Sequence, residues 1–120
     1  MREIKFRAFE KHSQRMFYNV QSGIYMDPDE FESFNDILGL ARYKVMQFTG
    51  LKDKNGDEIY EGDIYHQGDP EIIYLVVWHD TGLQGKQIRS SSYAGLSYWK
   101  DRIEVIGNIY QNPDLWEEAH

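Results

Sequence analysis

The stretch Met46–Tyr65, MQFTGLKDKNGDEIYEGDIY, decides the fold. Apolar residues precede and follow a central Asn55-Gly56 pair, which is a strong hairpin signal because a type I′ turn needs positive φ at both central residues. Gly50 and Gly62 mark further sharp changes of backbone direction. The stretch therefore predicts two strands joined by a tight turn, and its three Asp and two Glu residues also make it a candidate site.

Outward from this hairpin, alternating or continuous apolar runs predict further short strands. The first two, residues 4–9 and 15–20, are separated by a polar turn and form an N-terminal hairpin. Residues 71–78, rich in β-branched and aromatic side chains, are apolar on both faces, which predicts a central strand. The remaining predicted strands cover residues 42–49, 63–66, 86–90 and 102–110, the last with a bulge at Gly107. The rest of the segment 83–98 has no legible pattern.

One short helix is predicted at Asp29–Leu38. Asp27 is suited to cap it, Pro28 suits the first helical position, and Glu30 completes a capping box. Its apolar stripe consists of Phe31, Phe34, Ile37 and Leu38. Near the end of the chain, Asn112-Pro113 predicts a closing helical turn by the same reasoning.

These elements together predict a mainly β fold, in the all-β to α+β range. We expect a small barrel-like or strongly curved antiparallel sheet, with one short helix and a C-terminal helical turn. At 120 residues the chain is expected to form a single domain. Within it, residues 1–45 would contain the N-terminal hairpin and helix, and residues 46–120 the barrel-like β region.

The composition excludes several classes of site. There are no cysteines, so disulfides, iron–sulfur clusters, thiolate zinc sites and cysteine nucleophiles are excluded. The formal net charge of −7 disfavours sequence-independent nucleic-acid binding, which depends on Lys and Arg. We expect neither a signal peptide nor a membrane span, because no apolar run approaches the roughly 20 residues needed. These features together fit a reducing cytoplasm.

Two groups of residues could bind a metal, although neither has a complete motif. Asp53, Asn55 and Asp57 begin like a calcium loop, but Glu58 and Ile64 stand where Gly and a bidentate Glu are required. We therefore interpret these acids as turn-forming residues. The other group consists of Asp63, His66 and His79, at the ends of strands that could pair. Surface histidines are the favoured interpretation, and no cofactor is predicted.

Aromatic and basic residues mix in two segments, and such faces can stack single-stranded bases. The first segment holds the candidate nucleic-acid-binding residues Lys86, Arg89, Tyr93, Tyr98, Trp99, Lys100 and Arg102. The second holds Lys5, Arg7, Phe9, Arg15 and Phe17. Core aromatics interleaved with solvated charges are the alternative interpretation of both segments.

Three blocks of the chain resemble a known family. They are Met1–Phe9, Gln47–Ile64 and Ile103–Leu115, at the start, middle and end of the chain. Together they are similar to the YopX-like family of phage and prophage proteins, with Phe9 at a position where the family pattern usually has Trp. The resemblance implies a small, mainly β protein that is encoded by mobile elements and acts inside a bacterial cell. The family has no activity that the resemblance could transfer to this chain.

We therefore expect a non-enzymatic accessory protein that binds a host or phage protein in the cytoplasm of the bacterial cell. Assembly as a homo-oligomer is a further hypothesis. A nucleic-acid-associated β-barrel module, acting through the first aromatic and basic segment, is the alternative. A metal-dependent hydrolase using Asp63, His66 and His79 is the third hypothesis. The identity of the partner does not follow from the residues.

Overall fold

A computed structural model describes residues 3–27 and 30–118 of the chain. The described residues form eleven strands, three short α-helices and one 3-10 turn at Val20–Ser22. The strands are β1 (Phe6–Glu10), β2 (Arg15–Tyr18), β3 (Ile24–Asp27), β4 (Glu30–Glu32), β5 (Tyr43–Lys52), β6 (Glu58–Tyr60), β7 (Asp63–His66), β8 (Ile73–His79), β9 (Gly82–Gln87), β10 (Tyr93–Ala94) and β11 (Glu104–Asn108). The helices are α1 (Phe34–Gly39), α2 (Leu96–Trp99) and α3 (Pro113–Glu118). The predicted mainly β fold class is confirmed.

Backbone contacts divide the chain into two compact units, Met1–Phe48 and Thr49–His120. The boundary falls within β5. Its first part pairs antiparallel with β1, and its second part pairs with β6. The expectation of a single domain, with the N-terminal hairpin and helix in residues 1–45 and a barrel-like β region in residues 46–120, stays a prediction.

The N-terminal unit is built on the predicted β1–β2 hairpin. In that hairpin Ala8 pairs with Phe17, and Phe9 pairs with Met16. The core of this unit combines Ala8 from the hairpin with residues from outside it. Its buried residues are Ala8, Val20, Ile24, Ile37 and Tyr43. Alternation along β1 places Ala8 in this core, as the period of two in the sequence predicts.

The helix predicted at Asp29–Leu38 is wrong in its first half. Residues Glu30–Glu32 form β4, which pairs antiparallel with β3, and Pro28 and Asp29 lie outside the described residues. The helix α1 begins only at Phe34, because Ser33 caps it with a side chain that accepts from Asp36 N at 3.1 Å. Pairing with the β-prone run at Ile24–Asp27 therefore prevails over the Asp-Pro helix-start signal.

The C-terminal unit contains a five-stranded sheet in the order β10-β9-β8-β7-β11. The central position predicted for residues 71–78 is confirmed, since β8 is the middle strand of this sheet. Tyr74 and Val76 pack into a core with Tyr65, whereas Leu75 packs on the opposite face with Ile64. Both faces of β8 are buried over its first half, which explains the continuous apolar run.

The prediction of a strand at residues 86–90 was wrong in its boundaries. The strand β9 begins earlier, at Gly82, and forms a hairpin with β8 in which His79 pairs with Gly82. The turn is closed by Asp80, whose φ of 56° lies in the left-handed region that Asp tolerates. The strand β9 ends at Gln87, and Arg89, two residues later, has a positive φ of 72°.

The end of the chain follows the sequence prediction. The strand β11 shifts register between Val105 and Gly107, which confirms the expected bulge. The helix α3 begins at Pro113. Asn112, which precedes it, uses its side-chain oxygen to accept from Asn108 N at 3.1 Å, so this residue supports the end of β11.

Candidate functional site

The Asp53 carboxylate organises the tip of the β5–β6 hairpin. Its Oδ1 atom accepts from Asn55 N and Asp57 N, both at 2.9 Å. Gly56 N donates to Asp53 O at 3.0 Å, so Lys54 and Asn55 are the central residues of the turn. Only Gly56 has positive φ here, at 85°, and the expected type I′ turn centred on Asn55-Gly56 is therefore wrong. The predicted turn-forming role of these acids agrees with the hydrogen bonds.

The same tip covers the outer edge of β11, the last strand of the five-stranded sheet. Asp53 Oδ2 accepts from Val105 N at 3.0 Å, and Lys54 N donates to Ile103 O at 2.9 Å. Lys54 Nζ also lies 2.8 Å from Glu104 Oε1, and this ion pair lowers the pKa of Glu104. A strand edge that would otherwise offer free backbone groups is thus occupied by the chain itself.

The second carboxylate of the organising stretch, Asp63, has an equivalent role. It is 2 % exposed, and its Oδ2 atom accepts from Tyr60 N at 2.7 Å. The turn between them depends on Gly62, whose φ of 87° strongly favours glycine. Asp63 therefore fixes the entry into β7, as the interpretation of the Gly-Asp pattern as a turn predicts.

The strand register does not bring the candidate metal ligands together. His66 pairs with Ile73 at one end of β8, whereas His79 ends the same strand, about 20 Å away at 3.3 Å per residue. His66 Nδ1 accepts from Gly68 N at 3.2 Å, and the Asp63 carboxylate is engaged as described above. In the described ranges, 3–27 and 30–118, no group of three or more His, Asp or Glu side chains could hold a metal ion.

The candidate nucleic-acid-binding residues fall into two groups by element, the first at and just after α2 and the second on β9, β10 and the loop between them. Tyr98 and Trp99 lie on α2 with their rings edge to face, 5.0 Å apart, and the Arg102 guanidinium lies 6.0 Å from the Trp99 ring. Lys100 directly follows this helix. Tyr93 on β10 pairs with Lys86 on β9. Its ring stacks on the His79 ring, with 3.7 Å between the ring centroids. Arg89 lies in the loop between β9 and β10.

A shallow cavity lies beside the first of these groups. Its volume is about 250 Å³, and it is lined by Gln67, Asp69, Ile72, Tyr74, Trp99 and Arg102. Trp99 and Arg102 are thus brought to one concave surface together with a second aromatic ring. This volume is small beside the several hundred Å³ typical of small-molecule pockets.

The second aromatic and basic segment is largely internal. Arg7 and Phe9 are each only 4 % exposed. Lys5 Nζ lies over the Phe48 ring at 4.8 Å, and the Arg15 guanidinium lies over Phe17 at 5.0 Å. Lys5 and Arg15 therefore lie over aromatic rings of their own unit, and the interpretation of this segment as core aromatics with charged neighbours fits best.

A turn in the same unit holds a carboxylate with a shifted pKa. Glu10 Oε2 accepts from Ser13 Oγ and Ser13 N, both at 2.6 Å, and Oε1 accepts from His12 N at 3.0 Å. The hydrogen bonds from Ser13 favour the charged form and lower the Glu10 pKa to about 2. Glu10 thereby stabilises the turn between β1 and β2.

The structure also exposes an aromatic pair that the sequence reasoning missed. Tyr25 on β3 pairs in register with Phe31 on β4, and the two ring centroids lie 4.7 Å apart. Tyr25 is 78 % exposed and Phe31 is 48 % exposed. The prediction that Phe31 belongs to the apolar stripe of a helix is wrong, because Phe31 lies in the strand β4.

These features define a small, mainly β protein whose conspicuous acidic residues build turns. Residues 5–117 match the model of the family described as YopX protein, and the chain therefore belongs to the YopX family. This confirms the resemblance seen in the three sequence blocks. No curated protein matches the chain significantly.

Two solved structures are similar over nearly the whole chain. Protein EF1440 from Enterococcus faecalis is 27% identical, with 97% of this chain and 99% of that chain covered and a TM-score of 0.67. Protein yopX from Bacillus subtilis is 19% identical, with 97% of each chain covered and a TM-score of 0.63. The second likeness concerns the fold alone. Among the described residues, no helix is long and apolar enough to cross a membrane.

Proposed function

We propose that this YopX-family chain is a non-enzymatic interaction module that binds another protein. The observation that carries the proposal is the exposure of large apolar side chains on both units. Tyr25 is 78 % exposed, Tyr98 is 84 % exposed and Trp78 is 52 % exposed. Aromatic side chains are enriched at protein interfaces, since each supplies a large contact area at a small entropic cost.

The use of the acidic residues supports a binding role over a catalytic one. A general acid or base must reach the reacting atoms of a substrate. Glu10, Asp53 and Asp63 instead lie at buried positions and accept hydrogen bonds from backbone amides of their own turns. These three carboxylates therefore stabilise loops, and their hydrogen-bonding capacity is used by the backbone of the chain itself.

We further propose that the chain is a phage or prophage accessory factor that acts in the cytoplasm of a bacterial host. Support comes from its membership of the YopX family, and the cysteine-free composition suits a reducing compartment. The partner would be a host or phage protein. A second copy of the chain is an additional partner to be tested, because exposed aromatic residues also serve homo-oligomers.

The experiment is affinity purification from a bacterial lysate, followed by reconstitution from purified components. A control protein of matched size and net charge removes proteins that bind any acidic surface. We expect one protein to be enriched over this control and to form a complex of defined mass with the purified chain. Solution mass of the chain alone reports self-association. Absence of any complex, together with a monomeric mass, would contradict the proposal.

A second candidate function, binding of single-stranded nucleic acid, is favoured by one observation. Tyr98 is highly exposed, and the half-buried ring of Trp99 next to it lines a concave surface together with Arg102. Bases stack on such rings without strict sequence preference. A gel-shift assay at low salt, with single-stranded and duplex probes, tests it. A shift that Trp99→Ala removes would support this function, and no shift with either probe would exclude it.

A further inference from the structure

The shallow cavity beside α2 contains an unpaired polar atom. Gln67, directly after β7, lines this cavity, and its Oε1 atom is buried with no hydrogen-bond partner among the described residues. A buried acceptor of this kind costs free energy until a donor reaches it. The last torsion of a Gln side chain is broad, so a turn of the amide presents Oε1 to a ligand in the cavity. The cavity wall thus offers a carbonyl oxygen to an external hydrogen-bond donor.

Two aromatic rings of the cavity are held in place by the fold. Tyr74 is 9 % exposed, and its ring stacks on the Tyr65 ring with 5.1 Å between the ring centroids. Trp99 packs against the core cluster that contains Tyr74, and its carbonyl oxygen accepts from Arg102 N at 2.8 Å. Rings that are fixed before binding lose little conformational entropy when a planar ligand stacks on them. The walls are therefore preorganised for a flat aromatic group.

Two side chains of opposite charge complete the lining. The Arg102 guanidinium lies 6.0 Å from the Trp99 ring. Asp69 is positioned by its own turn, since its Oδ1 atom accepts from Glu71 N at 2.9 Å. Carboxylate and amide oxygens accept hydrogen bonds from amino groups, and a guanidinium binds phosphate. The lining therefore matches a planar ring that has an amino group and is joined to an anion.

The geometry points to this cavity as a binding site for a single nucleobase with an amino group, which is adenine, cytosine or guanine. The base stacks on Trp99, its amino group donates to Gln67 Oε1 or to the Asp69 carboxylate, and Arg102 binds the phosphate. The volume of about 250 Å³ accommodates one base, since it is smaller than the roughly 300–1,000 Å³ of pockets for larger ligands. The site is independent of the protein-binding function proposed above. It assigns a pocket to the second candidate function and also admits a free nucleotide, which has the same base.

The lining also selects against other flat or charged ligands. A phenyl ring has no donor for Gln67 Oε1, and Arg102 repels an ammonium group. Uracil and thymine place carbonyl oxygens on both sides of one ring N–H group, and the Asp69 carboxylate repels such oxygens. Preference for amino-bearing bases over uracil is therefore the signature of this site.

The test is calorimetric titration of the full chain with AMP, CMP, GMP, UMP and adenosine. We expect the three amino-bearing nucleotides to bind about three- to tenfold more tightly than UMP, the effect of one hydrogen bond. Gln67→Met keeps the side-chain length without the amide and should weaken AMP binding by a similar factor. Gln84→Met, at a half-buried glutamine on β9 outside this cavity, is the matched control and should leave binding unchanged. Arg102→Gln should weaken AMP binding about two- to fivefold and leave adenosine binding unchanged.

Short oligoadenylate and oligouridylate strands identify the source of the base. Oligoadenylate that binds no more tightly than AMP indicates a free nucleotide as the ligand, and tighter binding indicates a single strand. Either result supports the site if Gln67→Met weakens it. Because Gln67→Met removes an unpaired polar atom, it should preserve the fold, and circular dichroism checks this.

Three outcomes would overturn the inference. They are no saturable binding of any nucleotide at millimolar concentration, equal binding of AMP and UMP, and AMP binding that Gln67→Met leaves unchanged. Strands that bind equally well to the Gln67→Met variant would refute the pocket and keep the second candidate function. Complex formation with a protein partner is a separate measurement, so its failure and the failure of this site are distinguishable.

Discussion

Replacing Asp53 tests whether the hairpin tip is held by one carboxylate. This side chain is 6 % exposed and accepts three backbone hydrogen bonds, from Asn55, Asp57 and Val105. Asp53→Asn can keep the oxygen that serves the turn, but its amide group then faces the Val105 N–H, and two donors meet. Losing one hydrogen bond to a charged group costs about 1.5–3 kcal/mol, and we expect a loss of unfolding free energy in that range.

Asp53→Ala removes all three bonds and should cost more. The sum of three such bonds is an upper bound, because the exposed Asn55 and Asp57 amides can regain hydrogen bonds to water. We expect a loss of about 3–5 kcal/mol, a large part of the 5–15 kcal/mol typical of small domains. Asp57→Asn, in the same loop but exposed, is the control and should change stability by less than about 0.5 kcal/mol.

The assay is urea denaturation followed by far-UV circular dichroism, combined with hydrogen exchange at single amides. The three variants should rank Asp53→Ala, Asp53→Asn, Asp57→Asn in decreasing loss of stability. In Asp53→Asn the Val105 amide should exchange faster, since its acceptor is gone, and in Asp57→Asn its exchange should be unchanged. Equal stability of Asp53→Asn and Asp57→Asn, or unchanged exchange at Val105, would refute the assigned role of the carboxylate.

Four further substitutions, one of them with a glycine control, test other contacts by denaturation. Tyr65→Phe removes a buried hydroxyl without a hydrogen-bond partner among the described residues, so stability should be unchanged or rise by up to about 1 kcal/mol, and a loss above that value would contradict the reasoning. Gly85→Ala would place a Cβ atom on the Tyr65 hydroxyl and 2.7 Å from Tyr65 Cζ. This overlap should lower the unfolding free energy by about 1–3 kcal/mol, and adding Tyr65→Phe should restore part of the loss. The Glu10 pKa is lowered to about 2 from 4.5, so Glu10 contributes stability that is complete above pH 4.5 and lost as pH falls toward 2. Glu10→Gln should flatten this part of the profile of unfolding free energy against pH. An unchanged slope would count against the role of the Glu10 carboxylate. Gly62→Ala, at a φ of 87°, should cost about 1–2 kcal/mol, whereas Gly39→Ala at the end of α1, with open space around it, should be neutral or slightly stabilising.

The fold class could be predicted because strand patterns depend on near neighbours. The core face shared by Phe6 and Ala8 in β1, the continuous apolar run of β8 and the glycine bulge in β11 each follow from short-range rules, and the structure contains all three. The helix predicted at Asp29–Leu38 failed for the opposite reason. The residues Glu30–Glu32 satisfy a helix-start pattern, but they form hydrogen bonds to β3, and a capping rule does not consider a pairing partner.

The candidate site was predicted less well than the fold, because a site depends on which distant residues meet. The turn-forming role of Asp53 could be expected from its loop, but its third bond, to Val105, joins residues 52 positions apart. The sequence allows His66 and His79 to meet at the ends of paired strands, but the register places His66 opposite Ile73 at the start of β8, whereas His79 ends that strand. Proximity of this kind follows from sheet register, which short-range patterns do not specify.

The sequence by itself determined that this is a mainly β chain of the YopX family and that Met46–Tyr65 forms a hairpin followed by a turn. Tertiary structure alone decided what that hairpin does, which is to place the Asp53 carboxylate and Lys54 on the outer edge of β11. It also decided that Tyr25 and Phe31 form an exposed pair. The physical reason is that backbone conformation follows from local sterics and hydrogen bonds, whereas exposure follows from packing of the whole chain.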